Sequence, residues 1–212
     1  MFYPIFTPAK HPYRLNIKAL FYNFFIDPLL SGLKQSVAEK ITPESTVIDI
    51  ACGTGSLAAV IAHKARHVTG IDLDADLIRF ASRNSEKRGI ANVKFQVKDA
   101  SGLYEYSDKQ FDVAVTSMAV HQFSEKLAVQ ILEEMKRISS RVIIADYSCP
   151  LPAGFYGTLA YTIERLAKGD HYRNFMNYMS RGGLKWFTGS AGLSIKSSTF
   201  RGYGVFVISE CE

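Results

Sequence analysis

Three aspartates lie within or directly after short apolar runs of this 212-residue sequence, and their side chains are the first candidates for ligand binding. Asp49 interrupts the run 47–50, Asp72 ends a second run and Asp99 follows a third. Runs rich in β-branched residues are typical of parallel strands that are buried on both faces. Because α/β folds bind their ligands at the carboxyl ends of such strands, we expect the three carboxylates to accept hydrogen bonds from a ligand there.

A glycine loop follows the first run. Gly53-Thr54-Gly55-Ser56-Leu57-Ala58 fits the G-x-G-x-x-G/A pattern of dinucleotide sites, and Asp72 comes 19 positions after Gly53, so this spacing permits NAD. The glycines allow a tight turn and let a ligand approach the backbone closely. Asp49, four residues before Gly53, opposes NAD because a carboxylate repels a pyrophosphate. Its charge suits a ligand with an ammonium and a sulfonium group.

Strands and helices alternate along the rest of the chain. The predicted strands span residues 47–50, 67–71, 93–97, 111–116, 141–147, 193–200 and 204–209. The predicted helices span residues 13–25, 29–40, 75–88, 125–138, 155–166, 171–180 and 184–190, and another begins at Leu57. Ser124 is a candidate cap for the helix 125–138. Together they predict an α/β, Rossmann-like, doubly wound fold whose mainly parallel seven-stranded sheet ends in a C-terminal antiparallel hairpin.

The length fits a single domain, residues 1–212, with one well-buried core. The sheet itself does not need two predicted helical segments, which span residues 1–43 and residues 153–191. We expect these segments to cover a pocket. Their aromatic and basic side chains, with one histidine after the fourth strand, are candidates for substrate binding. These candidates are Tyr22, Phe25, His121, Tyr156, Tyr172 and Arg173.

Composition limits the partners and the compartment. The net charge is +5, but the basic residues form no long block, so we expect no nucleic-acid partner and allow only peripheral membrane contact. No apolar run approaches the ~20 residues that cross a bilayer. The N-terminus lacks the features of a signal peptide, and three scattered cysteines predict neither disulfides nor a metal site. A cytoplasmic protein, a monomer or a homodimer, is the expectation.

The stretch from Asp49 to Gly55, D-x-x-x-G-x-G, resembles motif I of class I S-adenosylmethionine (SAM) methyltransferases. The resemblance covers residues 45–147 and is weaker as far as residue 209. It is greatest to the ubiquinone/menaquinone C-methyltransferase-like group, through V-I-D-I-A-C-G-T-G-S-L-A and the aromatic segment 21–25 before it. This resemblance implies SAM as the cofactor.

The resemblance also implies a cofactor-binding role for eleven residues. Asp49 would hold the amino group, Asp72 the ribose hydroxyls, and Asp99 the adenine amino group. The full set is Asp49, Ala51, Cys52, Gly53, Gly55, Asp72, Leu73, Asp99, Ala100, Ser117 and Met118.

The chemistry implied is direct displacement at the sulfonium methyl, in which the protein positions the reactants in a dry pocket. Such a reaction can proceed without an acid or base, and the catalytic residue stays unassigned, with His121 and Tyr147 as candidates. His121 would either orient the next helix or act as a base. The expected function is methyl transfer to an O, N or C atom of a small, partly apolar acceptor, which includes quinone-like molecules. An NAD-dependent oxidoreductase and a non-catalytic SAM-binding protein are the alternatives.

Overall fold

A computed structural model describes residues 30–212 of the chain. The helices are α1 Ser31–Glu39, α2 Ser56–Ile61, α3 Ala75–Lys87, α4 Glu125–Ile138, α5 Phe155–Ala167, α6 Gly169–Arg181 and α7 Leu184–Ser190. The strands are β1 Thr46–Ile50, β2 His67–Asp72, β3 Val93–Val97, β4 Phe111–Ser117, β5 Ser139–Tyr147, β6 Ile195–Arg201 and β7 Phe206–Cys211. A short 3₁₀ helix, Val120–Gln122, connects β4 to α4.

The seven strands form a single sheet in the order β3-β2-β1-β4-β5-β7-β6. Strands β1 to β5 are mutually parallel, whereas β7 runs antiparallel to both β5 and β6. The predicted Rossmann-like fold with its C-terminal hairpin is therefore confirmed. The strand order reverses between β1 and β4, and the crevice at such a switch point is where open α/β sheets bind ligands.

The core lies on both faces of the central strands. Val47, Ile48 and Ile50 of β1 are fully buried, as a strand covered by helices on both sides requires. Helix α4 buries one face whose residues recur every three or four positions, which is the spacing of an amphipathic helix. These residues are Ala128, Ile131, Leu132, Met135 and Ile138.

Two local expectations differ from the structure. Both hairpin strands begin two residues later than predicted. For β7 the reason is that Gly204, with Gly202 and Tyr203, has positive φ and belongs to the turn instead of the strand. Ser124 sits at the N-cap of α4, but its side chain makes no capping hydrogen bond. Asp74 does cap α3, since its carboxylate accepts hydrogen bonds from the backbone of Asp76 and Leu77.

The predicted insertion is helical and consists of α5, α6 and α7. It is held to the sheet by Phe175 and Tyr178 of α6 and Phe187 of α7, which are almost completely buried. Of the predicted N-terminal cover, only α1 belongs to the described residues, and Tyr22 and Phe25 lie outside them. Within residues 30–212, no helix combines the length and the apolar composition needed to cross a membrane.

Candidate functional site

A cavity of about 410 Å³ opens at the switch point between β1 and β4. Side chains from the carboxyl ends of β1, β2 and β4, from the segment after β3, and from α1 and α4 line it. Ten of the eleven residues predicted to bind the cofactor are among them. They are Asp49, Ala51, Cys52, Gly53, Asp72, Leu73, Asp99, Ala100, Ser117 and Met118.

Gly55 is the exception, and its geometry explains why. It has φ 71° and precedes α2, and a Cβ atom there would lie 2.6 Å from the Phe95 ring and 2.8 Å from the Ala81 methyl group. A Cβ atom on Gly53 would have no neighbour within 4 Å. The first glycine therefore leaves room beside a ligand, whereas the second lets the loop pack closely against α3 and β3.

Asp49 is the most unusual charged group in the cavity. Its side chain is 1% exposed, and Oδ2 has no hydrogen-bond partner among residues 30–212. Burial, followed by the negative charge of Asp72, raises the pKa of Asp49 to about 8, although the Ala58 backbone and the Lys34 ammonium act in the opposite direction. A buried carboxylate oxygen without a hydrogen-bond partner favours a ligand that brings a cation or a hydrogen-bond donor.

Lys34 also lines the cavity, and the sequence prediction missed it. This α1 side chain is mostly buried although lysine is rarely so. A signal was present in the sequence, because Lys34 lies four residues after Leu30 and three before Val37, on the apolar face of its helix. The cavity thus holds a buried cation beside a buried acid.

Asp72 helps to build the glycine loop. Its Oδ2 accepts a hydrogen bond of 2.8 Å from the Gly53 backbone, and its Oδ1 accepts one of 2.9 Å from the Asp74 backbone. Each carboxylate oxygen has a second lone pair, so both can still accept from ribose hydroxyls. Leu73, 71% exposed, presents an apolar surface at the cavity for a flat ring.

Asp99 lies in the turn after β3, at the border of the cavity. Its Oδ1 accepts hydrogen bonds from the backbone and the hydroxyl of Ser101, at 2.9 and 2.7 Å, and these bonds lower the pKa of Asp99. It therefore stabilises the turn after β3 while its side chain also borders the cavity. An ionised carboxylate in this position can accept from an adenine amino group.

The backbone at the ends of β1 and β4 is strained. Ala51 and Met118 both have φ 56°, which is uncommon for residues other than glycine. Hydrogen bonds hold both turns: Cys52 N donates to Ile71 O, and Met118 N donates to Ala145 O. Strain of this kind is concentrated at binding sites, and here it shapes the two strand ends that border the cavity.

The two catalytic candidates lie elsewhere. His121 is 1% exposed and Tyr147 is 5% exposed, and neither lines the cavity. His121 Nδ1 donates to Asp146 Oδ1 at 2.6 Å, so Asp146 is the orienting partner that the sequence could not identify. The Tyr147 hydroxyl donates to Glu164 Oε1 at 2.8 Å.

The described substrate candidates of the insertion are not brought to the cavity either. Tyr156 stacks on Tyr203 with ring centres 4.2 Å apart. Tyr172 stacks against Phe175, and Arg173 forms an exposed ion pair with Asp170. On the α4 side of the cavity, the additional side chains are instead mainly apolar or amide groups, from α4 and from the segments before α1 and α4. They include Leu30, Gln122, Phe123, Leu127 and Ile131.

Comparison with known proteins supports the resemblance to SAM methyltransferases that the sequence predicted. A family model described as "Methyltransferase domain" matches residues 41–183. An uncharacterized methyltransferase, YcgJ of Bacillus subtilis, is 28% identical over 120 residues, which are 56% of this chain and 47% of that protein. A ubiquinone biosynthesis O-methyltransferase of Xylella fastidiosa is 27% identical over 134 residues, which are 61% of this chain and 54% of that protein. The chain therefore spans about half the length of each.

Among solved structures, that of a SAM-dependent methyltransferase from Aquifex aeolicus has a TM-score of 0.64 at 17% identity. The alignment covers 91% of this chain and 97% of that one, so the two share a fold. Because the family model spans most of the sheet and the cavity, this chain belongs to the class I methyltransferase family, whose cofactor is S-adenosylmethionine.

Proposed function

We propose that this protein transfers a methyl group from SAM to a small, partly apolar acceptor. The pair formed by Asp49 and Lys34 is the observation that carries the proposal. SAM ends in an amino acid with one ammonium and one carboxylate, and the cavity offers one buried acid and one buried lysine. The ammonium would lie beside Asp49 and the carboxylate beside Lys34. NAD has no such end, so this pair favours SAM over the dinucleotide.

The remaining cofactor contacts would follow the strand ends. Asp72 would accept hydrogen bonds from the ribose hydroxyls, Leu73 would cover one face of the adenine, and Asp99 would accept from its amino group. These contacts would orient the sulfonium toward an acceptor that already carries a free electron pair, such as a phenolate oxygen or a neutral amine. Its bond to the methyl carbon would form as the methyl–sulfur bond breaks and the sulfur keeps the electron pair. The contribution of the protein is positioning and the exclusion of water.

A partly apolar acceptor is supported by the side chains on the α4 side of the cavity. Phe123, Leu127 and Ile131 supply apolar surface, and the Gln122 amide supplies a polar group. The Xylella fastidiosa relative, which acts in ubiquinone biosynthesis, makes a hydroquinone or another phenol the first acceptor to test. Nucleic acid remains outside the proposal, because the basic residues form no continuous block in the sequence.

Two ligands test the cofactor assignment. S-adenosylhomocysteine (SAH) carries the amino acid end, whereas methylthioadenosine lacks it. In calorimetry, SAH should bind more tightly than methylthioadenosine, and Asp49→Asn should reduce the difference by about 1.5–3 kcal/mol, the range for hydrogen bonds to charged groups. Asp170→Asn, an exposed acid on α6, is the matched control and should change nothing. Tight NADH binding without SAH binding would refute the assignment.

Methyl-labelled SAM tests the acceptor. The protein should transfer label to a hydroquinone, a phenol or an amine, and Asp72→Ala should slow the transfer. Label found only in added RNA would show that the acceptor class is wrong. Tight SAH binding without transfer to any acceptor would instead favour a non-catalytic SAM-binding protein.

A further inference from the structure

A second group of polar side chains is buried away from the cofactor cavity, where the insertion meets the sheet. We call it the His121 cluster, and it consists of His121, Asp146, Glu164 and His171. His121 lies in the 3₁₀ helix after β4, Asp146 in β5, Glu164 in α5 and His171 in α6. His121, Asp146 and Glu164 are 1%, 0% and 5% exposed, and the His171 side chain is one-third exposed.

The histidine and glutamate atoms of the cluster converge. His121 Nε2 lies 3.6 Å from Glu164 Oε1, and His171 Nε2 lies 2.6 Å from Glu164 Oε2. One ligand-type atom from each of the three residues falls within 4.8 Å of the others. Tetrahedral ligands held ~2.0–2.1 Å from one ion are about 3.3 Å apart, so small side-chain shifts bring these three atoms to a shared ion.

Asp146 fixes the direction of the His121 lone pair. Its carboxylate accepts hydrogen bonds from Nδ1 and the backbone N–H of His121 and from the backbone N–H of Tyr147. Because Nδ1 carries the proton, the neutral ring presents Nε2 as an acceptor. Within residues 30–212, this buried Nε2 has no hydrogen-bond partner. An aspartate behind a histidine in this way is the usual support of a metal ligand.

We propose that His121, Glu164 and His171 bind a divalent metal ion, with Asp146 holding His121 in position. Two imidazoles and one carboxylate are ligands that suit Zn²⁺. The ion would also balance the two buried carboxylates of the cluster. The sequence analysis predicted no metal site because the cysteines are few and scattered. The three proposed ligands belong to elements that only the fold brings together.

The ion would fasten the insertion to the sheet. Its ligands belong to α5, to α6 and to the connection after β4, so a single ion joins three elements. The open side lies at His171, which is the most exposed ligand, and water would complete the coordination there. This role is independent of the cofactor cavity, which none of the three ligands lines.

Metal titration of the full chain tests the site. The protein, first treated with a chelator, should bind one Zn²⁺ per chain and rise in thermal stability, and Co²⁺ should produce the strong visible absorption of tetrahedral coordination. His171→Ala and Glu164→Gln should each weaken Zn²⁺ binding by at least the ~10–100-fold that loss of an outer-shell partner costs. His67→Ala, an exposed histidine at the start of β2, is the control and should bind as the unaltered chain does.

Circular dichroism checks that the variants fold, and the exposure of His171 makes its replacement the least disruptive. The Co²⁺ spectrum of the unaltered chain reports metal coordination directly and does not depend on any variant. Absence of saturable Zn²⁺ and Co²⁺ binding would overturn the proposal, as would equal affinity in the unaltered chain, His171→Ala and Glu164→Gln. In either case the cluster is a hydrogen-bonded ion network that needs no metal.

Discussion

Asp49 has a carboxyl group whose ionised form is disfavoured by burial, and this property can contribute to ligand binding. It is enclosed by β1 and the glycine loop, and burial and Asp72 keep the pKa of its carboxyl group high. A ligand ammonium beside Oδ2 would favour the ionised form and lower that pKa. Binding would therefore remove a proton from Asp49 at neutral pH.

This proton makes the affinity for SAH depend on pH. With a pKa of about 8 in the free protein, Asp49 is mostly protonated at pH 6, so ligand binding must first ionise it. We expect the dissociation constant for SAH to fall as pH rises from 6 to 8, by up to about tenfold per unit. Calorimetry in buffers of different ionisation enthalpy measures the released proton. Asp49→Asn should abolish both effects, and a pH-independent affinity in the unaltered chain would contradict this account.

Asp72 acts on the ligand and on the loop at once. Replacement by alanine removes its contacts to ribose and also the hydrogen bond from the Gly53 backbone. We expect Asp72→Ala to weaken SAH binding by about 1–3 kcal/mol, the cost of leaving buried polar groups unpaired. Calorimetry beside the exposed control Asp170→Ala measures the loss, and unchanged affinity would remove Asp72 from the ribose assignment.

Among the elements, the glycine loop and α2 depend on how closely they approach β3. Gly55 and Gly89 both have positive φ, 71° and 66°, but only Gly55 has neighbours where a Cβ atom would lie. Alanine at either position pays the left-handed backbone cost of about 1–2 kcal/mol. Gly55→Ala must also displace the Phe95 ring, which adds about 1–3 kcal/mol.

Urea unfolding of the two variants separates these costs. Gly89→Ala should lower the free energy of unfolding by the backbone cost alone, whereas Gly55→Ala should lower it further and also weaken SAH binding. Equal destabilisation of the two variants would show that the contact with Phe95 does not contribute to the free energy of unfolding.

At the scale of the whole molecule, the insertion is joined to the sheet by buried polar contacts as well as by apolar packing. The Tyr178 hydroxyl of α6 donates to the Tyr147 carbonyl of β5 at 2.7 Å, and both groups are buried. Tyr178→Phe removes this buried hydrogen bond, so we expect a loss of about 0.5–1.5 kcal/mol in the free energy of unfolding. Tyr161→Phe on α5, where the ring is 39% exposed, should cost much less.

Denaturant unfolding measures both tyrosine variants, and hydrogen exchange adds the location of the change. Compared with the unaltered chain, Tyr178→Phe should increase the exchange rates of the α6 amides more than those of the β1 amides. If the two variants were equally stable, the hydrogen bond between α6 and β5 would not contribute to holding the insertion.

The predictable part of this molecule lies in contiguous sequence. The β-branched run before Gly53 and the aspartates at β1, β2 and β3 indicated the sheet, the loop and much of the cavity lining. Each of these positions depends only on one strand end and the turn that follows it. Lys34 was not among the predicted site residues, because lysine is rarely buried and only its position on the apolar face of α1 sets it apart. The His121 cluster was out of reach, since its residues meet only after α5 and α6 fold back onto β5.

The carboxylates of the cavity have a consequence for the cysteine between them. Cys52 borders the cavity in which we propose that SAM binds, and a thiolate within reach of its sulfonium methyl group would be alkylated. Burial, and then the charges of Asp49 and Asp72, raise the pKa of the Cys52 thiol well above its ordinary value. The thiol therefore stays protonated, and a protonated thiol would not be methylated by a bound cofactor.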